Sequence, residues 1–155
     1  MKYPSDDNGF HKEQVALICG NYRRFLAKEL LETNSSIETQ AKALFYAPFA
    51  ILSHTADDEP VFNYANMKAL ELFGYAWHEL IGLPSRLSAE PICQSDREKL
   101  LKEVSENGYI KDYQGIRLTK TGDRFLIKGA TVWNLLDNDR CYVGQAACLK
   151  AWKFL

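Results

Sequence analysis

An excess of positive charge is missing from this chain: 19 lysines and arginines stand against 20 aspartates and glutamates, a formal net charge of −1. Nucleic-acid binding needs a basic face to displace condensed counterions, so the balance argues against an extended surface of that kind, though not against a local patch, and nucleic acid is not an expected partner. Long apolar runs are missing too. No stretch approaches the ~18 consecutive apolar residues that span a bilayer. The opening MKYPSDDNGFHKEQ has no apolar stretch of the secretory type. A membrane is therefore not an expected partner, and the cytoplasm is the expected location. Cysteine is sparse. Cys19, Cys93, Cys141 and Cys148 form no Cys-x-x-Cys and read as free thiols. On one strand Cys141 and Cys148 point to opposite faces and cannot bond there. The three histidines, His11, His54 and His78, lie far apart, so no zinc-ligand spacing exists and no metal is expected.

What is present fits one globular core: 155 residues, 46% hydrophobic and 25% charged. Residues 1–9 are polar and read as frayed. From Lys12 to Glu32, apolar residues recur at helical spacing, with Val15, Ile18, Tyr22 and Phe25 on one stripe. Residues 33–36 break that helix. Ser35-Ser36-Ile37-Glu38 opens a second helix through Ala41, Leu44 and Phe45, and Pro48 ends it. The period then changes. FAILSH (49–54) and VFNY (61–64) read as strands around the turn TADDEP. Asn66 is placed to cap the helix MKALELF, and Gly74 to stop it. A one-turn helix covers Trp77–Leu80. After a proline-containing loop, Ser95-Asp96-Arg97-Glu98 opens a third long helix with Leu100, Leu101 and Val104 facing the core. The last third reads as a β-meander: YIKDYQGIRL, RFLIKGATVWNLL and CYVGQAACLKAW, joined by the turns KTGD and DNDR.

These motifs, taken together, resemble a PAS domain over about residues 46–152. The pattern is carried by Tyr64-Ala65-Asn66, Leu72-Phe73-Gly74-Tyr75, Glu79-Leu80-Ile81-Gly82, Asp96-Arg97-Glu98, Lys120-Thr121-Gly122 and Tyr142-Val143-Gly144. More narrowly, DEPVFNYANMKALELF, LPSRLSAEP, KTGDRF and ATVWNLLD resemble the MEKHLA family. That PAS-like group includes stand-alone bacterial proteins, the type this chain resembles, and the C-terminal domain of plant class III homeodomain–leucine zipper factors. With no homeodomain or zipper ahead of it here, DNA binding is not implied. The implied fold is α+β: a five-stranded antiparallel sheet with flanking helices and two N-terminal helices. Residues 1–34 would form a helical extension and 35–155 the PAS-like domain.

PAS folds share architecture rather than ligand, so the expected function lies in the cavity. Strand parity puts Phe125, Ile127, Gly129, Thr131 and Trp133 on one face, which the resemblance to flavin-binding members turns inward. With His54, Tyr64 and Arg117, the residues Phe125, Ile127, Thr131 and Trp133 are the candidate ligand contacts. Flavin–thiol photochemistry is not expected, because Ser85 stands where those members carry the reactive cysteine. The resemblance also sends Gln145 to the outer face with Cys141, Val143 and Ala147. His54 and His78 are lone histidines, and each reads as a polar surface residue or a satisfied core histidine rather than as a haem ligand. Arg117 is ambiguous: its neighbours Ile116 and Leu118 place it outward, the resemblance inward, where Glu90 or an acidic ligand would have to answer it.

The leading expectation is a non-catalytic sensory or protein-interaction module that binds a small molecule of unknown identity and pairs as a homodimer through the 12–32 helix and the outer sheet face. No cofactor can be named. The competing readings are a small cone-shaped α+β enzyme using Tyr64, Asp112 and Tyr113, and a structural dimerisation domain with a filled core.

Overall fold

The computed structural model describes residues 1–31, 35–89 and 94–155, with Gln94 described in its backbone only. After a 3-10 segment at Asp6–His11, the order is α1 (Lys12–Leu26), α2 (Ile37–Phe45), β1 (Ala50–Thr55), β2 (Phe62–Ala65), α3 (Met67–Phe73) and α4 (Trp77–Leu80). A 3-10 turn at Ser85–Ser88 then leads to α5 (Gln94–Asn107), β3 (Tyr109–Leu118), β4 (Arg124–Leu136), β5 (Tyr142–Leu149) and β6 (Ala151–Phe154). The strands form one antiparallel sheet in the order β2-β1-β5-β4-β3, with β6 also on β4. The fold is α+β and PAS-like, as the motifs imply.

Three local expectations change. Residues 1–9 are not frayed. Tyr3 packs edge-on against Phe45 at 5.4 Å, Trp77 Nε1 donates to the Met1 carbonyl at 3.3 Å, and Phe10 is buried. Aromatic burial of this kind outweighs the chain entropy of a polar terminus. The first helix stops at Leu26 rather than Glu32, where Ala27 turns left-handed and its N–H closes on the Arg23 carbonyl. Leu30 then folds back into the core. The long final strand is two strands, β5 and β6, split at Lys150.

That split has a cause across the sheet. Gly129 sits opposite the break at φ +62°, in the left-handed region that glycine enters without a side-chain clash. The bulge adds a residue and reverses the in–out alternation of β4. Phe125 and Ile127 before it share a face with Ala130 and Val132 after it, not with Thr131 and Trp133. Parity counted straight through Gly129 therefore fails.

The two faces of the sheet are covered differently. One carries Ile51, Ser53, Thr131, Trp133, Ala146 and Cys148, paired across β1, β5 and β4. α1 lies on it: Trp133 Nε1 donates to the Ile18 carbonyl at 3.1 Å, its ring meets Tyr22 at 4.9 Å, and Gln14 Nε2 donates to Ser53 Oγ at 3.1 Å. Val15, Ile18 and Tyr22 are buried in this contact within one chain, in the same core as the sheet. The stripe that suggested a dimer seam is thus covered without a second copy. The other face carries Leu52, His54, Val132, Gln145 and Ala147 under α3 and α5.

Asn66 joins the layers. Its side-chain oxygen accepts from Ala69 N at 3.0 Å, capping α3, and from Ile51 N at 3.0 Å in β1. Its amide donates to the carbonyls of Leu44 at 3.0 Å and Phe49 at 2.8 Å. One fully buried amide fixes α2, β1 and α3 together.

Candidate functional site

Between the sheet and its α3/α5 cover lies a cavity of about 80 Å³. β1 supplies Leu52 and His54, β3 supplies Tyr113 and Arg117, β4 supplies Ile127, Ala130 and Val132, and β5 supplies Gln145 and Leu149. Phe73 of α3 and Arg97 and Leu100 of α5 close it. Gly144 sets the approach of β5 to β1: a Cβ there would overlap the His54 carbonyl oxygen. The Tyr-Val-Gly motif therefore has a steric reason, and it positions His54 opposite Gln145.

Two arginines enter this space. Arg97 is 6% exposed and donates through Nη2 to Ser85 Oγ; Ser88 Oγ in turn donates to the Ser85 carbonyl at 2.8 Å. Burial, and next the nearby charge of Arg117, pulls the Arg97 pKa down to about 10, which still leaves it charged at neutral pH. Arg117 is 9% exposed, so its orientation is inward. It donates to Tyr113 Oη at 3.1 Å and to the Ile116 carbonyl at 2.9 Å. Among the described residues neither arginine has a carboxylate within ion-pair distance. Glu90, the expected partner of Arg117, lies outside the described residues, as does Cys93.

Two neutral polar groups line the same cavity. His54 Nδ1 bonds the Thr55 carbonyl at 2.8 Å, and its Nε2 is buried with no protein partner. Burial first, and Arg97 as a further cause, holds the His54 pKa below the usual value, against the opposing pull of the Thr55 carbonyl and of the neighbouring Gln145 side chain. Gln145 Nε2 donates to the Leu101 carbonyl and to Asn134 Oδ1, both at 3.1 Å, which leaves Oε1 buried and unpartnered.

Of the candidate contacts, the structure brings His54, Arg117 and Ile127 to the cavity. Phe125 shares their face but packs between Phe73 and Phe154 at 5.2 and 5.4 Å. Thr131 and Trp133 lie on the α1 face, beyond the Gly129 bulge. Tyr64 also faces α1, paired with Ser53. Tyr64, Asp112 and Tyr113 consequently do not converge: Tyr113 lines the cavity, Asp112 is exposed, and Tyr64 is on the other side of the sheet. Gln145 points inward, not outward as expected, because α5 docks on its face.

Sequence reasoning missed Arg97 and Gln145. Arg97 carried a signal. It stands three and four residues before Leu100 and Leu101 and seven before Val104, on the apolar stripe of α5, where a solvated arginine does not belong. Gln145 carried none, since both faces of β5 are apolar around it.

The comparisons with known proteins agree with this architecture. The family model of the MEKHLA domain matches residues 12–154. Homeobox-leucine zipper protein HOX29 of Oryza sativa subsp. indica is 28% identical over 148 residues, 89% of this chain and 16% of that protein. Homeobox-leucine zipper protein HOX9 of Oryza sativa subsp. japonica is 27% identical over 142 residues, again 89% of this chain and 16% of the relative. The chain thus spans about a sixth of the length of these curated relatives. Among solved structures, the PAS domain of a protein from Colwellia psychrerythraea superposes with a TM-score of 0.65 at 19% identity, covering 74% of this chain and 94% of that one. A light-oxygen-voltage domain studied with a flavin analogue gives 0.59 at 19% identity, over 76% and 84% of the two chains. An RNA-binding light-oxygen-voltage receptor gives 0.61 at 16% identity, over 79% and 36%. At such identities the likeness establishes the PAS fold alone.

The residues present do not fit a flavin. A cavity of about 80 Å³ is far below the roughly 300–1,000 Å³ of sites for drug-sized ligands. Arg97 reaches into it, and Ser85, at the place of the reactive thiol, is held by that arginine.

Proposed function

Because the chain belongs to the MEKHLA domain family, we propose that it is a non-catalytic sensory module whose cavity binds a small molecule. The observation that carries this reading is the gathering of two buried arginines without a described carboxylate and two unpartnered buried acceptors around one space. Buried charge without a partner is costly, and a domain selected only for packing gains from replacing it with apolar side chains. A ligand that answers these groups recovers the cost.

The ligand would act through α5. That helix contributes Arg97 and Leu100 to the cavity and also holds Gln145 through the Leu101 carbonyl. Occupancy that favours one placement of α5 over another shifts the population by the difference in affinity, and by no more. Homodimerisation belongs to the proposal only as an assembly that leaves the α1 stripe in place; light scattering that gives a monomer at micromolar concentration removes it.

Native and denaturing mass spectrometry of the purified chain test the ligand. The expected result is a retained small molecule in the native spectrum. A bare chain, together with His54 and Gln145 amide resonances that no small-molecule library moves, leaves a filled-core interaction domain instead.

A further inference from the structure

The polar groups of the cavity differ in what they want. Arg97 and Arg117 offer only donors, in the planar fork that matches a carboxylate. The two unpartnered atoms among the lining residues are both acceptors. His54 Nδ1 bonds a carbonyl, which cannot donate, so Nδ1 carries the proton and Nε2 of the neutral ring has a lone pair free. The amide of Gln145 cannot be turned, because its nitrogen already serves the Leu101 carbonyl and Asn134 Oδ1. The rest of the lining is largely apolar, with Leu52, Phe73, Leu100 and Ile127 among it. The space of about 80 Å³ is several times the roughly 10–15 Å³ that one water needs, yet too small for a cofactor.

We propose that the cavity takes a short-chain hydroxycarboxylic acid, its carboxylate on Arg97 and Arg117 and its hydroxyl donating to one of the two acceptors, His54 Nε2 or Gln145 Oε1. This rests on the reading of the cavity as a ligand site. Inorganic phosphate would supply the charge but leaves the apolar walls unused, and a plain fatty acid leaves both acceptors without a donor. A hydroxy acid answers the charge, lies against the apolar walls and gives one of the two acceptors its donor.

The test uses the intact chain with lactate, propionate, lactamide and inorganic phosphate, read by thermal shift and by the amide resonances of His54 and Gln145. Lactate should bind saturably, propionate about tenfold more weakly, and lactamide not at all. Arg97→Met and Arg117→Met should each weaken lactate at least tenfold. The ligand-free variants should melt no lower than the parent, since an unpaired buried charge has gone. Two variants keep the test sound where one of them fails to fold, and the panel on the parent chain needs neither. Lactamide binding as well as lactate, or methionine variants that bind like the parent, overturns the anion assignment. Phosphate equalling lactate overturns the organic acid, and propionate equalling lactate overturns the hydroxyl. Silence from the whole panel alongside a neutral molecule retained in native mass spectrometry overturns this proposal alone. Silence with a bare chain overturns the ligand-site reading as well.

Discussion

The two faces of the sheet bury similar kinds of surface and treat polar groups differently. On the α1 face, Trp133, Tyr22, Cys19 and Cys148 pack tightly, and burial pushes the thiols up to about 12 for Cys19 and about 11 for Cys148. Both stay protonated and inert. The Tyr64 hydroxyl and Asn21 Oδ1 are unpartnered there, but neither lines the cavity. On the α5 face, unpartnered His54 Nε2 and Gln145 Oε1 share a space with two positive charges. The difference is charge and room rather than burial. One face holds the fold together, and the other keeps two buried positive charges that no described carboxylate answers.

The largest expected effect comes where the faces are joined. Asn66→Ala removes the cap of α3 and leaves Ile51 N, Ala69 N and the carbonyls of Leu44 and Phe49 without their partner. A loss of roughly 3–5 kcal/mol in urea unfolding is expected, several times the ~1 kcal/mol of a cap alone. Asn66→Asp keeps the cap oxygen but sets a second oxygen against two carbonyls, so it should be nearly as damaging. A loss near ~1 kcal/mol for either reduces Asn66 to a helix cap and unties the two layers.

Packing should separate the faces next. Cys148→Leu adds volume to the filled α1 side and should cost about 1–3 kcal/mol. Ala130→Val adds volume beside the cavity and should change stability by less than about 1 kcal/mol. Equal losses in thermal melts would mean that the α5 side is as full as the other, and the contrast between them would fall.

The smallest effect is the pH response of His54. Its folded pKa is below the ordinary 6.5, so the unfolded chain takes up the proton first. Its contribution is intact above pH 6.5 and is lost as pH falls from there toward the folded value. Urea unfolding at pH 7.5 and pH 5 should show a larger loss for the parent than for His54→Gln. Equal losses place His54 in water at least part of the time and open the cavity wall.

Much of the fold was legible because its signals are local. The period change after Pro48, the cap at Asn66 with Gly74 beyond it, and the KTGD turn are each read from a few neighbouring residues, and each stands where expected. The cavity was legible only in part. Ile127 was placed by strand parity and the family resemblance, His54 was a candidate for its place beside the turn after β1, and Arg97 went unread although it is a charge on an apolar stripe. Thr131 and Trp133 were misassigned because a single bulge at Gly129 inverts every side chain after it, and a glycine in a strand gives no sign of how its register will resolve.

What the sequence determined by itself is the order and kind of the elements and the family they compose, because capping, turn chemistry and hydrophobic period act over a few residues. Only the tertiary structure decided which sheet face α1 covers, that Arg97 and Arg117 enter the same space, and that Gln145 faces it with one acceptor free. Those facts depend on contacts between residues far apart in the chain, and on a strand whose two faces are equally apolar until a helix lies down on one of them.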